Sequence, residues 1–161
     1  MPPRRISRNH ITITQLQIAC RHFQELRTAN VTENYAIRTL ELFVDSYSKI
    51  LHGSAPIPHH VDHVKLWSIQ AQSIRNSGIS YKPRDYLRVE HGTPKRALAR
   101  LVFQMFEEGR INEENVNALV SKHWKLAVIT IEEDIRLNKT DRSTLFETPD
   151  ERWAAAGISF S

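Results

Sequence analysis

Apolar residues recur at helical spacing through most of this chain, and that periodicity leaves little room for a large sheet. Leu16, Ala19, Cys20, Phe23 and Leu26 mark one face of a first helix, which Thr28-Ala29-Asn30 ends. Thr32 predicts the cap of a second, longer helix with the stripe Ala36, Ile37, Leu40, Phe43, Val44, Tyr47 and Leu51, stopped by Gly53 and the Pro56/Pro58 loop. A third face runs through His60, Val64, Trp67, Ala71 and Ile74 and stops at Asn76-Ser77-Gly78. Three such helices pack as an antiparallel bundle, expected over 11–78.

The pattern changes at Tyr86-Leu87-Arg88-Val89-Glu90-His91, a short β-favouring run closed by Gly92. Thr93 then reads as an N-cap and Pro94 as a first helical residue, opening a helix whose face is Ala97, Leu98, Leu101, Val102, Met105 and Phe106, broken at Gly109. Asn112 caps a further helix through Val116, Leu119 and Val120. Leu126 to Thr130 is the second strand candidate, and Thr130 with Glu133 forms a capping box that opens a helix carrying Asp134, Ile135, Leu137 and Asn138. Thr148-Pro149 starts a last helix that Gly157 stops. The expected fold is mainly α, a helical bundle with a small two-stranded β element and a helical insertion between the strands. With 161 residues one domain is expected over 1–161: a basic tail at 1–10, the bundle at 11–78 and a ββα-like half at 79–161.

Composition excludes several classes. No apolar run approaches the ~20 residues of a membrane span, so no membrane insertion is expected. The single cysteine, Cys20, rules out an intrachain disulfide framework and a multi-cysteine zinc site, which suits a reducing cytoplasm, and its place on an apolar face predicts an inert core thiol. No hydrophobic signal core follows the opening residues, so the mature chain is expected to begin at or near Met1. There is no Gly-rich phosphate loop and no Gly-x-Ser-x-Gly elbow.

Lys and Arg number 22 against 18 Asp and Glu, and the excess is clustered. Arg4, Arg5 and Arg8 share the Pro-led tail, while Lys82, Arg84, Arg88, Lys95, Arg96 and Arg100 face only Asp85 and Glu90 in sequence. Such segments suit a phosphate backbone, because each neutralised phosphate releases a condensed counterion. Arg4, Arg5, Arg84, Arg88, Lys95, Arg96 and Arg100 are therefore the expected nucleic-acid contacts, and an acidic protein surface is the competing partner. His59, His60 and His63 with Asp62 form a second polar cluster, read as an exposed first turn because no distant third ligand is evident. Trp67, Trp124 and Trp153 read as core residues.

Glu90-His91-Gly92-Thr93-Pro94, taken with Ile129 through Asn138, resembles the HNH group of ββα-metal nucleases. In that group an acidic residue and a histidine close the first strand, and the second strand runs into a helix that supplies metal ligands. The resemblance implies His91 as general base on an attacking water, Glu90 as a ligand to Mg2+, and Asp134 with Asn138 as helix ligands. This sequence departs from the pattern in having Lys125 where an asparagine is usual and in lacking zinc-knuckle cysteines. A structural reading of the same residues stands beside it: Gly92-Thr93-Pro94 ends a strand and caps a helix, and Glu132, Glu133 and Asp134 complement a helix N-terminus. The function expected is a nucleic-acid-directed protein, a metal-dependent nuclease of this kind or a degenerate relative, with a non-enzymatic helical binding or docking module as the alternative.

Overall fold

A computed structural model describes residues 10–52, 61–142 and 144–161. In chain order the elements are α1 (Ile13–Thr28), α2 (Glu33–Ala36), α3 (Arg38–Leu51), a 3-10 turn (Val61–His63), α4 (Ile69–Asn76), α5 (Pro83–Tyr86), β1 (Leu87–His91), α6 (Lys95–Glu107), α7 (Glu113–His123), β2 (Leu126–Thr130), α8 (Ile131–Asp141) and α9 (Pro149–Ala155). The fold is mainly α with one small two-stranded antiparallel sheet, as the periodicity predicts.

Two of the expected helices differ from the pattern. The helix expected after Thr32 is broken at the fully buried Ile37 into α2 and α3, and Thr32 takes the extended capping conformation without its hydroxyl accepting a cap bond. The third helix is shorter than its apolar spacing implies. Ser68 accepts from the Ala71 N–H at 3.0 Å and so starts α4 at Ile69. Just before it the chain lies on the sheet: Val128 N–H donates to the Leu66 carbonyl at 2.8 Å and Ser68 N–H to the Val128 carbonyl at 2.9 Å. Trp67 is thereby a one-residue bridge to β2, although it is buried as expected.

The core does not follow chain order. Leu16, Cys20 and Phe23 of α1 and Leu40 and Val44 of α3 pack with Leu98, Val102, Met105, Val116 and Val120 from the α6–α7 hairpin. The hairpin inserted between the strands thus completes the N-terminal bundle, and α4 packs on the sheet instead, through Ala71 with Trp67, Leu87 and Val128. Cys20 is fully buried, and burial pushes its thiol up to about 12, which keeps it protonated.

In the sheet Glu90 stands opposite Ala127 and His91 opposite Leu126. Gly92 N–H donates to the Lys125 carbonyl at 2.8 Å, so by alternation Glu90 and Arg88 are the β1 residues bonded to β2, while Leu87, Val89 and His91 turn their N–H and C=O groups to the outer edge. Side chains alternate as well. Leu87, Val89 and Val128 face α4 and the 3-10 turn, whereas Ala127 and Ile129 face α8 and α9 with Leu137 and Trp153.

The capping box that opens α8 is built deep in this interface. Glu133 is 1% exposed, and its Oε2 accepts from the Thr130 N–H at 2.8 Å and from the Ser68 hydroxyl at 2.7 Å. One carboxylate therefore ties α8, β2 and the start of α4 together. Gly92 meets the other end of the layer: a Cβ there would lie 2.2 Å from Pro149 Cβ, so α9 seats only against a glycine.

Candidate nucleic-acid interface and the Glu90–His91 centre

Neighbours on a strand point to opposite faces, and this separates Glu90 from His91. Glu90 projects toward α9, where Arg152 Nη1 donates to its Oε1 at 3.0 Å and also to the carbonyls of His91 at 3.1 Å and Gly92 at 3.3 Å. Burial pushes the Glu90 carboxyl above its usual value; Arg152 offsets part of that rise, and Asp134 is close enough to add to it. Asp134 itself accepts from the Asn138 side-chain amide at 3.1 Å across one turn of α8.

His91 projects toward α3 instead. Its Nε2 lies 3.3 Å from Asp45 Oδ1, and the other Asp45 oxygen accepts from Lys49 Nζ at 2.7 Å, with Lys95 Nζ at 3.6 Å. Burial alone would raise the Asp45 carboxyl, but the bonds from His91 and Lys49 and the nearby Lys95 outweigh it and hold the group well below the usual carboxylate range. Trp124 closes the cluster, edge-on to His91 with ring centres 6.5 Å apart and stacked on His52 at 5.1 Å. Thr93 does not cap α6, which begins after Pro94 with no side-chain cap; its hydroxyl lies 3.3 Å from His123 Nδ1. Burial, helped by Lys122, lowers the His123 pKa and favours the neutral ring there.

The four residues singled out by the nuclease resemblance are thus in one neighbourhood but differently engaged. Glu90 and Asp134 share the α8–α9 side, Asn138 is bonded to Asp134, and His91 belongs to the α3 side. As arranged, these donors do not fit a divalent cation. Glu90 already holds a guanidinium, whose charge opposes a second cation, and among the described residues no three His, Cys, Asp or Glu side chains converge as a metal site. Asp45 and Arg152, the groups that decide what His91 and Glu90 can do, escape the sequence. The one trace of Asp45 is a charged i,i+4 pair with Lys49 on a buried helix face shared with Leu40, Val44, Tyr47 and Ser48.

The expected phosphate contacts divide in the same way. Arg96 donates from Nε to Glu41 at 2.7 Å, Arg100 is paired with Glu33, and Lys95 leans on Asp45, so the basic start of α6 is answered by acids of α2 and α3. Arg4 and Arg5 lie outside the described residues, as do His59 and His60, while Asp62 and His63 are exposed on the 3-10 turn.

What remains is a groove of about 560 Å³ along the outer edge of β1, lined by Val61, Lys82, Pro83, Arg84, Leu87, Arg88 and Val89. Among the described residues no carboxylate lines it. Arg88 Nη1 donates to the Leu87 carbonyl at 2.9 Å, and among the described residues neither Lys82 nor Arg84 has an ion-pair partner. The acids of this region, Asp85 and Glu132, line a different hollow, with Tyr86. No family model, no curated protein and no solved structure matches this chain.

Proposed function

We propose that this protein binds nucleic acid through the groove between α5 and the edge of β1. The carrying observation is that Lys82, Arg84 and Arg88 surround one concave surface that no carboxylate lines among the described residues, whereas Lys95, Arg96 and Arg100 are paired with acids of the fold. Three cations around a groove attract phosphates from a distance and hold them at short range, with an affinity that falls steeply as salt rises. Such contacts position a backbone without reading its sequence.

The two arginine pairs then behave differently. Arg84→Ala/Arg88→Ala lowers the affinity for a fluorescent oligonucleotide by about tenfold at low salt and flattens the salt dependence. Arg96→Ala/Arg100→Ala leaves affinity within about twofold, because those guanidinium groups are already held by Glu41 and Glu33 at surface-type bridges worth ~0–1 kcal/mol each. Anisotropy titrations decide it: equal losses from both pairs, or no binding by the unaltered protein at low salt, rule out the groove as the binding surface.

A catalytic version has one observation in its favour, the Asp45 carboxylate that orients the His91 ring. In that version His91 accepts the proton of an attacking water while the groove holds the phosphate backbone. His91→Ala then lowers cleavage of supercoiled or single-stranded DNA about 10²-fold and leaves binding intact. If the unaltered protein cleaves neither substrate with Mg2+ or Mn2+ supplied, the protein is a binding module.

A further inference from the structure

We infer that the groove takes single-stranded nucleic acid, with an unpaired base on the apolar floor and the adjoining phosphates on Lys82, Arg84 and Arg88. This rests on the nucleic-acid reading above and narrows it to one substrate class.

The accessible apolar floor is Pro83 and Val89, both half-buried, lying over the buried Val61 and Leu87, and Lys82, Arg84 and Arg88 flank it. A duplex stacks its base faces away and offers a protein groove mainly phosphate and sugar, so it would meet the cations and leave the apolar floor uncovered. An unpaired base has an accessible apolar face, and burying it on such a floor adds to the phosphate contacts without selecting sequence. The groove is open and about 560 Å³, room for one nucleotide of a flexible strand laid along it.

The strand edge supplies the polar part. Of the three β1 residues whose backbone groups turn outward, Leu87 gives its N–H to the Pro83 carbonyl and its carbonyl to Arg88, and the His91 carbonyl is taken by Arg152. Among the described residues nothing pairs with the outward N–H and C=O of Val89. These are one donor and one acceptor about a residue's width apart, which is what the edge of a base presents in return. On the opposite edge of the sheet the equivalent groups of Val128 are covered by Leu66 and Ser68 of the chain itself. The two edges therefore differ: the β2 side is closed by its own backbone, and the β1 side offers the same pair of groups to a ligand.

The test compares four probes at one salt concentration: a thymidine dodecamer, the same length of abasic DNA, a duplex dodecamer, and polyglutamate. The expected result is thymidine binding about tenfold tighter than either abasic or duplex DNA, since covering one apolar face of an unpaired base on aliphatic side chains is worth about that much in affinity. Arg84→Ala/Arg88→Ala, checked for native circular dichroism, should lower the thymidine salt slope by about 1.4, roughly 0.7 for each single-strand phosphate that is no longer neutralised. Abasic or duplex DNA bound as tightly as thymidine overturns the inference and leaves the polyanion reading standing. Polyglutamate bound as tightly as thymidine replaces the nucleic acid with an acidic protein partner, and failure of all four probes to bind removes the underlying reading as well.

Discussion

Replacing Arg152 with alanine is expected to destabilise the protein by about 3–5 kcal/mol, a large part of the ~5–15 kcal/mol that holds a domain of this size. Its guanidinium is 2% exposed, and one nitrogen alone serves Glu90 and two backbone carbonyls at the end of β1. Removing it leaves the half-buried Glu90 carboxylate beside Asp134 without its guanidinium partner. The loss should also depend on pH. Glu90 has a folded pKa raised above its ordinary value, so it favours the folded state at low pH and this contribution is lost as pH rises through the folded pKa. Without Arg152 the rise is larger, and Arg152→Ala is accordingly more damaging at about pH 7 than at about pH 5. Urea denaturation at both pH values measures this. Arg152→Ala/Glu90→Gln, which removes the orphaned charge, should recover part of the loss; no recovery would mean that Arg152 stabilises through its other contacts, the His91 and Gly92 carbonyls among them.

The second large effect is at Asp45. Asp45→Ala leaves Lys49, itself only 7% exposed, without its partner at 2.7 Å, and unties His91 from α3. A loss of about 3–5 kcal/mol is expected from the broken buried pair. The acid behaviour changes with it. Asp45 has a depressed folded pKa, so its contribution is present above the unfolded value near 3.8 and is lost as pH falls toward the folded one. Wild-type protein therefore loses stability below about pH 4. Asp45→Asn, with no proton to take up, should show a shallower fall over the same range. Identical acid slopes in the two proteins would mean that Asp45 is not held as its three basic neighbours imply.

These two residues mark the boundary of what the sequence discloses. Capping and stop signals act within four residues, so Thr130 with Glu133, Asn112, Thr148 and Gly157 all punctuate the fold as their local chemistry requires. Thr93 and the third helix do not, because tertiary bonds to His123 and to the Val128 edge override local preference. The basic cluster is legible as composition, but its division is not: the acids that neutralise Arg96 and Arg100 come from Glu41 and Glu33, 55 and 67 residues earlier in the chain. Likewise Glu90 and His91 are adjacent letters with a shared motif, and strand alternation assigns them to different faces, with partners on α9 and α3 that no spacing rule connects.

The α6–α7 hairpin between the strands also constrains the order in which the molecule assembles. β1 and β2 cannot pair until residues 92–125 are looped out, and the entropy of closing that loop is offset early only if the hairpin has already collapsed. Its apolar face, however, belongs to the core shared with α1 and α3. A nucleus of α1, α3, α6 and α7 would therefore form first and deliver the two strands to each other as a late event. In kinetic terms, substitutions such as Val102→Ala in that nucleus should slow folding, whereas Ile129→Val in the sheet should mainly hasten unfolding.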